Sequence, residues 1–570
     1  MAETIKTDVL VVGGGGAGAR AALEANRHGA RVVLAVKGHF GAVGTRGSGG
    51  TCPALSEAGG MRAAGATGAQ GLAPETVEEG YANVIQLGLG MVDPKLARIL
   101  VEEAYMQRKV LEGYGVYFRF GLGWGARAHG VPLVGGLEGH IRHSSIDVRD
   151  GLMITNLLTR NSEVVGAVGV DENTGNVVII RAGAVILATG GNGQLFLHSF
   201  NPSCVTGDGY AMGYEAGGEL MNMEYMQMFI GTVYPTRNIT HTWGWRHRAK
   251  LLNANGEEFV AKYCPPGVTV DMVMDEHYRH NPITTRDPYS RYLDIAIIEE
   301  VKAGRGTPHA GVWMDFRGQE HLMEPSLSDW FRYRGVFFNN ELVEINVCHH
   351  CSDGGFRVNE FAQTSLPRLY GVGECLTGPH GADRRGGNML AATQVFGTRA
   401  AIHAANATKG KTLPDIDAKQ ASDFEQHLVA LSQKKGSLRP QAIKRTLQKK
   451  AWEDLLFIRS EQSLKSAQAE VGRIRGELLP QLSVEGPMDL VEAVELENML
   501  TVADILTNAA LMRKESRGPH FRRDYPQRDD ANWLKTITVK KVNGQMQLGT
   551  TVVDPNWKWR EGDMGPGIWG

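Results

Sequence analysis

Three apolar runs that each lead into a glycine turn predict an α/β fold with a parallel sheet. Residues 9–12 (VLVV) lead into Gly13, residues 185–187 (VIL) lead into the turn ATGG, and the third case is LYGVGE at 369–374. Unbroken apolar runs rich in β-branched residues are typical of parallel strands that are buried on both faces. The length of 570 residues predicts about three or four domain-sized units.

The first turn carries the spacing G-x-G-x-x-G and predicts a Rossmann-like domain. Gly13 allows the tight turn, Gly15 lets the backbone approach a pyrophosphate, and Gly18 lets the next helix pack against the strand. Gly16 lies in the same turn, and the free N–H groups of the helix N-terminus would bind the phosphates. The alternative is a glycine-rich turn without a ligand, but the strand before it and the helix after it favour a dinucleotide.

The second predicted strand, at 31–36, ends without the acidic residue that usually binds a ribose. Val36 and Lys37 stand at that place, which weakens the case for NAD and does not exclude FAD. The small-residue segment 41–60 that follows is either a flexible surface loop or a loop laid along a flat ring system, and we favour the second. Residues 95–111 show the apolar spacing of an amphipathic helix, and residues 163–190 predict strands with a hairpin.

The chain divides into segments of different character. We expect a first domain at 1–235 and 346–415, interrupted by an insertion at 236–345 that has more aromatic and charged residues and fewer glycine turns. Residues 416–520 predict a helical domain, and residues 521–570 a small C-terminal extension with a hairpin turning at Asn543 and Gly544. The predicted fold is thus a Rossmann-like domain with an inserted α+β domain, a helical domain and an extension.

Composition limits the possible partners and locations. Sixty basic against 62 acidic residues leave a net charge of −2, which does not suggest nucleic acid or an anionic membrane surface as a partner. Six cysteines in so long a chain indicate a reducing compartment, and the N-terminus leads straight into a strand without a signal peptide. No apolar run approaches the roughly 20 residues that span a bilayer. We therefore expect a cytoplasmic protein with membrane contact only through a partner.

Several blocks together resemble the flavoprotein subunits of succinate dehydrogenases and fumarate reductases. These are ANGEEFVAKY at 254–263, TTRDPYSR at 284–291, HCSDGGFRVN at 350–359, GVGECLTGPHGADRRGGNML at 371–390, and the segment 495–533 from ELENML to DDANW. They occur in the family's order over nearly the whole chain. The resemblance implies an FAD-binding domain, a capping domain as the insertion, a helical domain and a C-terminal extension.

The resemblance also implies which residues bind FAD. Many relatives attach FAD covalently through a His in the segment that matches residues 45–48, but this segment reads TRGS and His39 lies upstream, so we predict non-covalent FAD. The predicted FAD-binding residues are Gly13, Gly15, Gly16, Gly18, Lys37, Thr45, Arg46, Ser48, Gly49, Gly50, Thr189, Gly190, Asp208, Glu374, Asn388 and Leu390.

For the chemistry, the resemblance implies hydride transfer between flavin N5 and a carbon beside a carboxylate, with a proton transferred at the neighbouring carbon. Arg384 matches the arginine that binds the substrate carboxylate, and His350 matches a substrate histidine. Arg286 matches the proton-transfer arginine, although an arginine this basic can instead be a fixed carboxylate clamp. Arg385 either adds charge to the site or faces solvent.

Two departures from the family pattern concern the substrate. Phe229 stands where a second substrate histidine is expected, which puts fumarate and succinate in doubt and suits a mono-carboxylate enoate with an apolar group. His247 aligns near the family's proton-relay glutamate and is either a substitute relay or a surface histidine. The sequence CHHC at 348–351 lacks the second ligand pair of a structural zinc site, so we predict no metal there.

The leading hypothesis is an FAD-dependent catalytic subunit that interconverts a small saturated carboxylate and its α,β-unsaturated form. The helical and C-terminal domains resemble those of family members that work with an iron–sulfur subunit, so such a subunit is the expected electron partner. This chain itself has too few cysteines in suitable runs for such clusters. The alternatives are an adenylylsulfate-reductase-like or L-aspartate-oxidase-like flavoenzyme, or a flavin electron-transfer subunit that acts on a non-fumarate substrate.

Overall fold

The computed structural model describes residues 3–41, 76–116, 119–120, 126–127, 130–239, 245, 247–279, 289–323 and 325–553. The first part of the chain alternates strands and helices. Its elements are β1 (Glu3–Val12), α1 (Gly16–Arg27), β2 (Val32–Val36), α2 (Val77–Leu87), α3 (Pro94–Gly113), β3 (Arg119–Phe120), β4 (Ala126–Arg127), α4 (Gly130–Arg142), β5 (Asp147–Asp150), β6 (Leu152–Arg160), β7 (Glu163–Asp171), β8 (Val177–Leu187) and α5 (Asp208–Glu215).

The middle of the chain supplies short strands and the long helix that returns to the first domain. Its elements are β9 (Leu220–Met221), β10 (Met226–Tyr234), β11 (Asn238–Ile239), β12 (Lys250–Leu252), α6 (Val270–Arg279), α7 (Arg291–Glu300), β13 (Val312–Asp315), α8 (Pro325–Tyr333), β14 (Val343–Ser352), β15 (Gly355–Arg357), β16 (Leu369–Gly371), β17 (Leu376–Thr377) and α9 (Asn388–Thr408).

The last part of the chain is mainly helical and ends in a hairpin. Its elements are α10 (Ala418–Ser432), α11 (Pro440–Asp454), β18 (Ile458–Arg459), α12 (Glu461–Arg473), α13 (Pro487–Met512), β19 (Phe521–Arg522), α14 (Asp530–Trp533), β20 (Lys535–Val542) and β21 (Gln545–Val552). Helices α11, α12 and α13 pack on one another, as expected for the helical domain. In the described part of the chain, no helix combines the length and the apolar character needed to cross a membrane.

The largest sheet confirms the predicted α/β fold. Its strand order is β5-β2-β1-β8-β7-β6, with β16 also paired to β8, and β5, β2, β1, β8 and β16 run parallel. Val12 and Gly371 both lie opposite Leu187 in the register. The three predicted glycine turns, which follow these strand ends, therefore meet at one edge of the sheet.

A second sheet has the order β11-β10-β14-β13-β12 and is built around the antiparallel pair β10 and β14. The predicted insertion at 236–345 supplies β11, β12 and β13. Strand β10 ends just before the insertion begins, and the insertion's predicted end at 345 falls inside β14. Both long strands thus continue from this sheet towards the first domain. Gln227 and Phe229 lie on β10 and His350 lies on β14, so these strands bring candidate site residues together.

The C-terminal hairpin joins a third sheet. Strands β20 and β21 turn at Asn543 and Gly544, whose φ angles of 49° and 78° are those of the predicted two-residue turn. Strand β20 pairs with β9 in a sheet of order β17-β15-β9-β20-β21. The hairpin therefore completes a sheet that begins in the middle of the chain.

A buried ion pair holds α3 against α9, the helix that begins at the candidate site. The Nε atom of Arg399 lies 2.9 and 3.0 Å from the two carboxylate oxygens of Glu103, and both side chains are buried. Removing one partner of such a pair leaves an uncompensated charge inside the protein.

We expect Glu103→Leu to destabilise the protein by about 3–5 kcal/mol, because Arg399 would remain buried without its carboxylate. The measurement is the melting temperature of the FAD-loaded protein. Glu103→Leu combined with Arg399→Met should recover most of the loss. Glu112→Leu, which removes an exposed pair with Arg108 on the same helix, is the control and should cost less than about 1 kcal/mol. A single Glu103→Leu variant as stable as this control would contradict the prediction.

Candidate functional site

The turn after β1 is shaped to bind a phosphate group. A side chain at Gly18 would place its Cβ 1.8 Å from the Gly13 carbonyl oxygen, and one at Gly13 would lie 2.4 Å from the Ala188 oxygen. At Gly15, by contrast, a Cβ would meet no atom within 4 Å. Gly15 is also the N-cap of α1 and provides no side-chain cap, so the first amides of the helix remain available. Open space in front of free helix amides fits the pyrophosphate of a dinucleotide.

The second and third glycine turns add a carboxylate to this edge. The Ser352 amide donates to Glu374 Oε1 at 2.7 Å, and Gly191 leaves room for this carboxylate because a Cβ there would lie 2.2 Å from it. Burial raises the pKa of Glu374 to about 7, against the opposing effects of the Ser352 amide and Arg384. The Thr189 hydroxyl lies 3.3 Å from Cys375 Sγ, and Gly190 has a φ of +77°.

Helix α9 also begins at this place. Its N-cap is Gly387, in the left-handed conformation and without a side-chain cap, and Asn388 is buried at the first helical position. Leu390, in the same first turn, is half-buried. A second uncapped helix N-terminus therefore faces the region where the glycine turns meet.

Lys37 and Asp208, both predicted as cofactor residues, form an ion pair. Lys37 Nζ lies 2.6 Å from Asp208 Oδ2 and 2.8 Å from Glu495 Oε1, and Asn498 donates to Asp208 Oδ1 at 2.9 Å. Glu495 is in turn paired with Lys444 at 2.8 Å. The sequence analysis did not single out Glu495 and Asn498, which lie in the ELENML block and are two of several polar residues in helix α13.

Strand β14 contacts both Phe229 and Arg384, through His350 and Cys351 respectively. The Phe229 ring packs edge-on against the His350 ring, with centroids 4.5 Å apart. Arg384 is 3% exposed, and its Nε atom donates to Cys351 Sγ at 3.4 Å, next to His350. A buried guanidinium can bind a carboxylate, and the apolar Phe229 ring packs on His350, which precedes the Cys351 that Arg384 contacts.

Gln227 fixes the loop that carries Arg384. Its amide nitrogen donates to Asp383 Oδ1 at 2.5 Å and to the Arg384 carbonyl at 2.6 Å, and its amide oxygen accepts from Cys351 at 3.3 Å. Asp383 and Asp353 are both fully buried near Arg384, and the sequence analysis did not identify either as a site residue. The sequence could have pointed to them only as acidic residues within two blocks rich in small residues, 350–359 and 371–390.

His349 has a structural role in the CHHC segment. It is fully buried, its Nδ1 atom lies 2.9 Å from Asn201 Oδ1, and its ring stacks on Phe196. Burial lowers the pKa of His349 to about 3, so the ring is neutral at physiological pH. Among the residues that the structure describes, no three His, Cys, Asp or Glu side chains are grouped to hold a metal ion.

Two other predicted residues lie in half-buried positions. His247 is half-buried in the turn that leads into β12, and Arg385 is half-buried with its carbonyl accepting from the Arg384 guanidinium at 3.0 Å. Both remain predictions. The predicted residues outside the described ranges are Thr45, Arg46, Ser48, Gly49, Gly50 and Arg286.

Comparison with known families supports a flavin site at this edge. The family model for the FAD binding domain matches residues 8–390, and that for the fumarate reductase flavoprotein C-terminus matches residues 444–560. These matches establish FAD as the cofactor, in agreement with the room and the free amides at the glycine turns.

Individual relatives are similar over nearly their full length. One subunit of the fumarate reductase (CoM/CoB) of Methanothermobacter marburgensis is 33% identical over 95% of this chain and 98% of its own. The fumarate reductase flavoprotein subunit of Haemophilus influenzae is 27% identical over 96% and 94%. The solved structure of Mycobacterium smegmatis Sdh1 superposes with a TM-score of 0.82 at 27% identity, covering 98% and 96% of the two chains.

We expect Gly15→Ala and Gly18→Ala to fail in different ways. The methyl group added at position 15 has open space in the protein but would occupy the room for the pyrophosphate, so this variant should fold and purify with little FAD. The methyl group added at position 18 would meet the Gly13 carbonyl and should lower the melting temperature of the flavin-free protein. FAD content and melting temperature check both. Full FAD occupancy in Gly15→Ala would contradict the proposed position of the phosphates.

The raised pKa of Glu374 predicts a pH-dependent stability. A carboxyl group that titrates near 7 when folded and near its ordinary value of 4.5 when unfolded stabilises the fold below about pH 4.5, and this stability is lost as the pH rises to 7. The loss is at most about 3 kcal/mol. The melting temperature of flavin-free Glu374→Gln minus that of the flavin-free wild type should therefore be larger at pH 8 than at pH 5. An equal difference at the two pH values would show that Glu374 is ionised throughout.

Proposed function

Because the chain belongs to the family of fumarate reductase and succinate dehydrogenase flavoprotein subunits, and is an FAD-dependent oxidoreductase, we propose that it interconverts a small saturated carboxylate and its α,β-unsaturated form. The observation that carries the proposal is the buried Arg384 guanidinium, which donates to Cys351, the residue that follows His350. FAD, when bound, supplies the donor or acceptor of the hydride.

Arg384 is proposed to bind the substrate carboxylate. Reduction of an enoate pushes negative charge onto the carboxylate, and a fixed cation in a water-poor site stabilises that charge without reorganising. The guanidinium is held in place from two sides, by Cys351 Sγ and by the Arg385 carbonyl. Gln227 holds the backbone beneath it.

Phe229 suggests which end of the substrate is apolar. Its ring is 2% exposed and packs on the His350 imidazole. A second carboxylate placed against this ring would lose its hydration without a new partner. The site therefore favours a mono-carboxylate enoate over the dicarboxylate fumarate, with His350 as the remaining polar contact on that side.

The remaining assignments come from the family resemblance and are part of the same proposal. Arg286 is the proposed proton donor and His247 a candidate relay, FAD is held without a covalent bond, and Thr45, Arg46, Ser48, Gly49 and Gly50 contact it. An iron–sulfur subunit exchanges electrons with the flavin, in the cytoplasm, and any membrane contact occurs through such partners.

The proposal is tested on the reduced flavoprotein under anaerobic conditions. After reduction with dithionite, crotonate should reoxidise the flavin faster than fumarate, because crotonate presents a methyl group to Phe229. Arg384→Gln should slow this reoxidation about 10²- to 10³-fold without loss of FAD. Arg160→Gln, at an exposed pair with Asp415, is the matched control and should react as wild type.

Phe229→His should reverse the preference towards fumarate, because an imidazole can bind the second carboxylate. If neither enoate reoxidises the flavin, the proposed function is wrong. In that case adenylylsulfate and L-aspartate are the next compounds to test, since they represent the alternative activities weighed from the sequence.

A further inference from the structure

Asp353 occupies a rigid position beside Arg384. Its amide donates to the Tyr225 carbonyl at 3.1 Å, and its own carbonyl accepts from the Thr377 hydroxyl at 2.7 Å. The next residue, Gly354, packs closely against the chain at Asn222, because a Cβ there would lie 2.5 Å from the Asn222 carbonyl oxygen. The backbone is therefore pinned on both sides, and the Asp353 side chain stays inside the protein.

The carboxyl group of Asp353 makes no hydrogen bond with the described part of the chain. The residue is fully buried, and neither of its carboxyl oxygens has a described donor or acceptor in bonding geometry. Buried carboxyl oxygens are nearly always hydrogen-bonded, since leaving one unpaired in the interior is unfavourable. Its position and its lack of a bond therefore indicate that Asp353 meets a group that is not part of the described chain.

The charges around Asp353 determine its protonation. Burial and the like charge of Asp383 raise its pKa well above the ordinary value, the charge and the backbone amide of Arg384 oppose this, and Glu374 adds to it. Asp383 has the Gln227 amide as a donor, whereas the Arg384 backbone amide lies near the Asp353 carboxyl group but does not meet either oxygen in hydrogen-bonding geometry. Cys351, the remaining titratable neighbour, is a buried thiol whose pKa is raised, so it contributes no charge at neutral pH. Burial without a hydrogen-bond donor therefore favours the neutral carboxylic acid form of Asp353.

We propose that Asp353 is a specificity-determining residue whose carboxylic acid O–H donates a hydrogen bond to the substrate carboxylate bound by Arg384. This inference rests on the proposed function. A carboxylate has more lone pairs than one guanidinium uses, so a second donor can bind it at the same time. A neutral acid supplies that donor without the repulsion that an ionised aspartate would bring. The arrangement selects a carboxylate over the corresponding ester, which has fewer acceptor sites and no charge.

Two near-isosteric variants separate the possible roles of Asp353. Asn keeps a donor at this place and cannot ionise, whereas Leu has a similar shape and no donor. Crotonate is titrated against the oxidised, FAD-loaded protein between pH 6 and pH 9, and binding is followed by the change in flavin absorbance. This readout needs no turnover, and FAD content and melting temperature show whether each variant is folded.

For Asp353→Asn we expect affinity within about threefold of wild type at pH 6, and for Asp353→Leu a loss of about tenfold to a hundredfold. Wild-type affinity should fall as the pH rises, because the ionised acid repels crotonate, while Asp353→Asn should show no such fall. This pH comparison tests the inference even if Asp353→Leu fails to fold.

The inference is overturned if Asn weakens binding as much as Leu, which would mean that an ionised carboxylate is needed. It is also overturned if neither variant changes binding, which would mean that Asp353 meets only buried water. If wild type itself binds neither crotonate nor fumarate, the proposed function fails first. Binding by wild type with unchanged variants disproves the role of Asp353 alone.

Discussion

The parallel register of β1, β8 and β16 is the constraint on which the candidate site depends. Because Leu187 lies opposite both Val12 and Gly371, three turns that are far apart in the sequence begin at one level of the sheet. Each turn then brings a different group to the same edge: free helix amides after β1, the Thr189 hydroxyl after β8, and the Glu374 carboxylate after β16. A slip of one residue in either pairing would turn the alternating side chains to the wrong faces and separate these groups.

The second sheet supplies polar side chains that the strand ends of the first sheet do not provide. The turns after the parallel strands present free helix amides that can bind phosphates. The proposed carboxylate substrate needs fixed cations and hydrogen-bond donors in a site that excludes water. Strands β10 and β14 of this second sheet carry Gln227, Phe229 and His350, and Gln227 bonds to the loop that holds Arg384. The polar groups there are buried, and burial together with Asp383 and Glu374 raises the pKa of Asp353.

Local pattern was sufficient to predict the fold class, the glycine turns, helix α3 and the C-terminal hairpin, because each depends on residues that are neighbours in the chain. The pairing of Lys37 with Glu495 could not be predicted from the sequence, because no local pattern near either residue indicates the other. Arg384 and His350 were found only through the family resemblance. Asp353 was missed because its character comes from burial, and a sequence does not show that a polar residue in a glycine-rich block has lost its access to water.

The pairing of β20 with β9 affects the order in which the third sheet forms during synthesis. The strand that begins this third sheet leaves the ribosome long before the hairpin that completes it, and the same sheet contains β15 and β17, which flank Asp353 and Glu374. The third sheet is therefore complete only after Val552, the last residue of β21, has been synthesised. A chain that ended before the hairpin would lack the strand that pairs with β9 and would leave an edge of this sheet unpaired.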